Sequence, residues 1–430
     1  MKKCKKLFVV FVGLALAGCQ NPFLQIGKDA ASSTAHSPFT VSPHEDSEDS
    51  VYTVSFVANG GSPVPKITNV APGSAISEPE SNLEYFILEG WYKDISLDDP
   101  WDFSFDKVNS NITLYAKWEF DVDAQGDGES EETPYLVYNI TTLWEVGRGT
   151  TINGHVWSYD KHYKQVKDID MAGQSWGPIS TFTGSYNGNG KIISNLECIW
   201  PDTMQAGFIS YLSGTIKNLG MVNANIVGNN TSVVGGFAAH SSGTVQGCFF
   251  TGSVIGKNTV GGITGTNSGL VENCYVNGDI STTDPGSAWV DYRFVGGVAG
   301  HNDHGMIQNC YTLGNVSGSG FVGGIVGRLG GAELKNCVAL NTLVKALMAP
   351  IGRVHGGELV TDDPSETINC FASVYLTLDC GFAFIPIPDR NGEDVEYEDY
   401  SEETWWTGTA GWDFATVWAW DAARQLPVLR

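Results

Sequence analysis

The chain has 430 residues, 24 of them basic and 48 acidic, for a formal net charge of −24, and it contains 52 glycines. A surface this acidic repels phosphate backbones, which excludes nucleic acid as a partner. It keeps the chain soluble, and divalent cations are the ions it would attract. Beyond the first residues, no stretch is apolar enough to cross a bilayer.

In chain order, Met1-Lys2-Lys3-Cys4-Lys5-Lys6 followed by the apolar run Leu7 to Ala17 reads as a signal peptide over residues 1–18. Residues 19–50 are rich in Ser, Thr, Asp and Pro without periodicity, which predicts a flexible tether. Residues 51–119 open and close with alternating strands, Tyr52 to Val57 and Ile112 to Trp118, and carry a Gly60-Gly61 turn signal. This predicts a small module whose core area comes mostly from Trp91, Tyr92, Tyr115 and Trp118.

Residues 120–134 predict an acidic linker and the start of the next domain. Asp121, Asp123, Gln125, Asp127 and Glu132, with Gly126 between them, have the spacing of an EF-hand loop and are weak candidates for calcium. Gly128 stands where that loop has an aliphatic residue, and Thr133-Pro134 leaves no exiting helix. The expectation is a flexible linker with no metal or cofactor.

From residue 135 to 404 the chain repeats. Val234-Gly235-Gly236-Phe237, Val260-Gly261-Gly262-Ile263, Val295-Gly296-Gly297-Val298 and Val322-Gly323-Gly324-Ile325 follow one another at steps of 26, 35 and 27 residues. Each precedes a strand carrying Cys248, Cys274, Cys310 or Cys337. Such a unit holds two or three short strands and cannot bury its own apolar face, so copies must stack as a solenoid. Parallel pairing would set like residues over like at about 4.8 Å per coil. The predicted fold is all-β, with a right-handed parallel β-helix of roughly nine coils after the small module. Gly207 to Gly214 aligns with Gly236 to Gly243, which puts Leu219 in the position of Cys248 and predicts a buried column of free thiols.

Acidic residues do not recur at one register, so no catalytic pair is visible and the chain is not read as an enzyme. His301-Asn302-Asp303-His304 is read as a polar turn at the register of His240, Thr266 and Arg328, with His240 and His301 two coils apart. The longer step contains an insertion, Thr282 to Arg293, and its Trp289, Tyr292 and Arg293 are candidate ligand-binding residues. Asp389 to Glu403 and the aromatic residues Trp405 to Trp420, in the closing segment 405–430, are expected to form a loop and a cap over the last coil.

Family resemblances add to this. Leu16-Ala17-Gly18-Cys19 resembles the lipobox of bacterial lipoproteins, which implies diacylation at Cys19 and a membrane partner through that lipid. Gln20 after the cysteine implies the outer membrane. Tyr52 to Gly61, Glu89 to Asp94 and Ile112 to Trp118 resemble the internalin B-repeat, or Listeria-Bacteroides repeat, a β-grasp-like module of surface proteins. Gly262-Ile263-Thr264-Gly265-Thr266-Asn267-Ser268-Gly269-Leu270-Val271-Glu272-Asn273-Cys274-Tyr275 resembles the GLUG motif, and with its opening and closing segments that resemblance covers residues 126–430. Some GLUG-bearing proteins are immunoglobulin A peptidases with a His-Glu-x-x-His zinc site. Here His44-Glu45-Asp46-Ser47-Glu48 lacks the second histidine. The expectation is an adhesive or ligand-binding lipoprotein of the cell surface, with a glycan or a host surface protein as ligand. The alternatives are a carbohydrate-active β-helix (lyase or hydrolase) and a structural spacer.

Overall fold

The computed structural model describes residues 51–200, 205–228, 230, 233–283, 293–347, 350–358, 365–380 and 388–430. The leader, Cys19, the tether, Trp289 and Tyr292 lie outside the described residues.

Tyr52–Val57 pairs in parallel with Ile112–Phe120 at the centre of a four-stranded sheet. Ile67–Val70 and Phe86–Tyr92 run antiparallel at its edges. Alternation turns Val54, Leu114 and Ala116 onto the buried Trp91. Tyr115 falls on the opposite face and Trp118 at the strand end, so neither is fully buried. Trp101 supplies the missing area from a loop, its backbone N–H donating to the Trp91 carbonyl at 2.7 Å. The module rests on the next domain through the Phe120 ring, stacked 3.9 Å from Tyr138, and through Lys164 Nζ, which donates to the Tyr85 hydroxyl at 3.0 Å.

The linker is not the free tether expected. Gln125 Oε1 accepts from the Leu136 N–H at 2.6 Å, Glu129 pairs with Lys161, and Glu131 pairs with Lys217 at 2.7 Å. Its acidic side chains find lysines on different rungs, and this ties the linker across the start of the solenoid.

The solenoid is a parallel β-helix. One column, Tyr135, Tyr163, Tyr186, Ile216, Val245, Val271, Ile307, Leu334 and Thr367, passes through nine rungs in register. A second runs Val234, Val260, Val295, Val322 and Ile351, and a third Ile226, Val254, Ile280, Val316 and Val344. Apart from Thr367 these side chains are nearly all fully buried, and each aliphatic one contributes about 1.5–3 kcal/mol relative to exposure.

The paired glycines have a steric reason, not a conformational one, since none has left-handed backbone. A Cβ on Gly236, Gly262, Gly297 or Gly324 would collide with the carbonyl oxygen of the next rung, and that close approach carries hydrogen bonds such as Gly262 N–H to Gly297 O at 3.0 Å. Left-handed backbone occurs elsewhere, at Asn273, Asn309, Asn336 and Asn369, each directly before a column cysteine. Asparagine tolerates that conformation. Here its amide also donates to the asparagine of the rung before, Asn309 to Asn273 at 3.1 Å, Asn336 to Asn309 at 3.1 Å and Asn369 to Asn336 at 3.0 Å.

The cysteine column is longer than the four expected. Cys248, Cys274, Cys310, Cys337 and Cys370 are all buried and free. Each thiol donates to the carbonyl two residues earlier, at 3.1–3.4 Å. Burial pushes Cys248, Cys310 and Cys370 up. Burial opposes ionisation of Cys274 and Cys337 in the same way. With no cation in the column, burial governs and all five stay neutral.

The closing segment is not a simple end cap. Glu393–Val395 does extend the last coil, pairing with Phe371–Ser373. The aromatic residues after it fold back along the flank. Trp406, Trp412 and Trp418 pack on Tyr311 within an apolar cluster that also holds Tyr275, Val338 and Phe371. The reason is an outward aromatic stack, Phe249 over Tyr275 over Tyr311 at 5.0 Å per step, which would otherwise face water. Tyr311 Oη donates to the Pro427 carbonyl at 2.7 Å and Trp412 Nε1 to the Asn336 carbonyl at 3.0 Å.

Substituting Gly297→Ala tests the steric account of the glycines. It should lower the urea midpoint by the equivalent of about 1–3 kcal/mol, the usual cost of overpacking, and an unchanged midpoint would contradict it.

Candidate functional site

The seven-stranded face of the solenoid contains Ile209–Leu212, Ala238–Ser241, Thr264–Asn267, Ala299–Asp303 and Val326–Gly330. Their register sets Tyr211, His240, Thr266, His301 and Arg328 over one another, one per rung. The neighbours Leu212, Ser241, Asn267, Asn302 and Leu329 point inward and are buried, so alternation turns the ladder outward. Two inward amides hold this corner of the coil. Asn267 Nδ2 donates to Asn302 Oδ1 at 2.8 Å, and Asn302 Nδ2 donates to the carbonyls of Gly305 and Glu333 at 3.1 Å each.

The Tyr211 and His240 rings lie parallel with centroids 5.2 Å apart, and Tyr211 is 43% exposed. Further along, Phe294 and Phe321 from the adjoining six-stranded sheet flank the ladder. His301 sits 5.1 Å from the Phe294 ring, and the Arg328 guanidinium lies 4.8 Å from Phe294 and 5.5 Å from Phe321. Such cation–aromatic contacts hold the guanidinium in place while leaving it charged. Beside Tyr211, His240 and Thr266, the turn hydroxyls of Ser213, Ser242 and Ser268 line an open cleft of about 260 Å³.

Burial holds the His240 imidazolium below the usual histidine range. His301 is lowered too, chiefly by burial and also by the positive charge of Arg328, with Asp303 pulling the other way.

The residues singled out by sequence fare differently. His240, Thr266, His301 and Arg328 do share one register, but they occupy strands, and only His304 has the left-handed backbone of a turn, at φ 59°. His240 and His301 are separated by Thr266, two rungs apart as expected. Arg293 is not displayed to solvent. It is buried where a six-stranded-sheet strand begins, with Nη1 donating to Ser319 Oγ at 2.7 Å and its carbonyl accepting from Phe321 at 2.8 Å.

The five calcium candidates do not converge. Asp121 Oδ1 accepts from the Asp123 N–H at 3.0 Å, Gln125 is committed to Leu136, and Asp127 Oδ1 accepts from Thr133 Oγ1 at 2.6 Å. The Glu132 N–H is bound by Ser130 Oγ at 3.3 Å. No group of three or more His, Cys, Asp or Glu among the described residues could hold a metal ion.

Tyr211 was missed as a ladder member, and Phe294 and Phe321 as the rings that flank it. The signal was available for Tyr211, since the alignment of Gly207 to Gly214 with Gly236 to Gly243 already set it over His240.

Residues 52–117 match the Listeria-Bacteroides repeat domain. The chain is 42% identical over 88 residues (20% of the chain, 10% of the relative) to a protein of Evansella cellulosilytica named "Putative Gly-rich membrane protein". It is 46% identical over 76 residues (17% and 11%) to a "Putative membrane protein" of the same organism. It is also 33% identical over 150 residues to the halomucin of Haloquadratum walsbyi, covering 31% of this chain and 2% of that one. The chain thus spans about a tenth or less of the length of these relatives. In fold it is similar to a crystal structure from Bacteroides ovatus described as a "putative immunoglobulin A1 protease". The TM-score is 0.57 at 22% identity, over 71% of this chain and 94% of that one. At that identity the likeness concerns the fold alone.

The ladder makes a direct statement about titration. By NMR, the His240 and His301 rings should titrate below the ordinary histidine value of about 6.5, and a midpoint above that value for either would contradict the burial described.

Proposed function

We propose that this is a bacterial cell-surface lipoprotein, anchored through a diacylated Cys19 in the outer membrane, that binds a glycan or a host surface protein in an adhesive role. The β-helix carries the ligand on its seven-stranded face. The observation behind the reading is the outward ladder from Tyr211 to Arg328, which places ring, imidazole, hydroxyl and guanidinium groups at one-rung intervals beside a row of serines. Aromatic and arginine side chains are the groups that dominate binding energy at interfaces. A rigid sheet presents them without an ordering cost at the moment of binding.

The leader sequence, the Listeria-Bacteroides repeat and the membrane and mucin names of the relatives support a surface setting. The GLUG resemblance of the repeats points the same way. Trp289 and Tyr292, on the segment leading to Phe294, are proposed as further contacts.

The mature chain should retain members of a glycan array or a host-protein array. Tyr211→Ala combined with Arg328→Ala should weaken that retention at least tenfold while the chain stays folded, its melting temperature falling only by the few degrees that loss of the Arg328 ring contacts costs. Blank arrays, or retention indifferent to both substitutions, would overturn the reading.

A further inference from the structure

The ladder has an unusual charge balance for so acidic a chain. At neutral pH, Arg328 offsets Asp303, which lies two residues from His301 on the same strand, and the face is close to neutral. Three imidazoles stand on or beside this face, His240, His301 and His304. His304 Nδ1 is 3.0 Å from Asp303 Oδ1. Among the described side chains, the other groups packed against the ladder carry no charge: Tyr211 and Thr266 in the column, Ser213, Ser242 and Ser268 along the turn, Phe294 and Phe321 on the adjoining sheet, and Gly357 on the rung after Arg328. The nearby cation Arg293 is turned into the structure onto Ser319. Protonation of His240 and His301 therefore turns this face from near neutral to cationic. The chain as a whole, −24 at pH 7, stays strongly acidic and repels anions in bulk.

Resting on the ladder reading above, we propose that this face is a pH-gated receptor for carboxylate-bearing oligosaccharides, with one sugar ring stacked on Tyr211 and the carboxylate of a different sugar of the same oligomer, three to four rungs along, held between His301 and Arg328. The geometry favours a saccharide for two reasons. The exposed Tyr211 ring is braced from behind by His240, as a stacking platform needs to be, and the serine hydroxyls lie where ring hydroxyls would meet them. A densely charged polymer such as nucleic acid is disfavoured, because the cationic strip spans only a few rungs of a strongly acidic molecule. A carboxylated sugar carries one sparse charge per residue, which the strip can match.

The sign of the pH effect follows from the burial of both histidines. They are neutral at pH 7.5 and take up protons only below the usual range. Sugar carboxylates resemble other carboxyl groups of pKa near 3.5 and stay ionised throughout. Affinity must then rise as the pH falls, and added salt must weaken it.

The test is isothermal titration calorimetry of the mature full-length chain at pH 5.5 and 7.5, with oligogalacturonate as probe and the uncharged oligogalactose as its control. Oligogalacturonate should bind at least tenfold more tightly at pH 5.5. His240→Gln with His301→Gln should abolish most of that difference while leaving the melting temperature at pH 7.5 unchanged. Oligogalactose should bind weakly and without pH dependence. Affinity for oligogalacturonate that is absent, equal at the two pH values, or equal to that for oligogalactose would overturn the proposal. The ladder reading itself falls if the arrays are blank or if Tyr211→Ala with Arg328→Ala leaves array retention unchanged.

Discussion

Every feature of the solenoid depends on in-register parallel pairing, which sets each residue directly over its counterpart one coil away. Such pairing multiplies the consequence of a residue choice. A valine at one register becomes a column of valines, a cysteine a column of thiols, and an asparagine a run of amide hydrogen bonds from Asn273 to Asn369. It also penalises like charges, which would face each other at one-rung spacing. The outward column Lys217, Gln246, Glu272, Gln308 and Lys335 interposes amides between its charges, and Gln308 Nε2 donates to Glu272 Oε2 at 2.7 Å. Glu333 beside Glu366 is an exception, both partners of which lie at exposed positions.

The same constraint explains the attachments at the ends and flank. A stack of parallel strands leaves unpaired edges at both ends, and any outward column of large apolar side chains stays wet unless something covers it. At the first rung, Trp157 stacks on Tyr135 at 5.0 Å, and helix Ile140–Glu145 buries Leu143. Along the flank, the closing segment covers most of the aromatic stack. The serine-lined ladder on the seven-stranded face is polar and does not require such a cover.

The repeating part of this architecture was legible because repetition makes register visible. The alignment of Gly207 to Gly214 with Gly236 to Gly243 is the register found, and Leu219 is buried as the counterpart of Cys248. What was not legible came from non-repeating segments. The acidic run 120–134 looks solvated until Lys161 and Lys217 are known to lie beneath it, and nothing local indicates that Trp412 will reach Asn336. Trp101 was missed because its loop has no periodicity from which to infer facing. The asparagine ladder could have been seen: Asn273-Cys274, Asn309-Cys310, Asn336-Cys337 and Asn369-Cys370 share one dipeptide.

The most direct measurement of the stacking itself is the dipolar coupling between nitroxides placed at Leu270→Cys and Glu333→Cys. These outward positions are related through Met306 and lie two rungs apart; the column thiols are buried away from the label, and the partly exposed Cys380 is replaced by serine in every sample. In-register coils predict strong spectral broadening from spins about 10 Å apart. A doubly labelled spectrum equal to the sum of the two single ones would contradict the fold described.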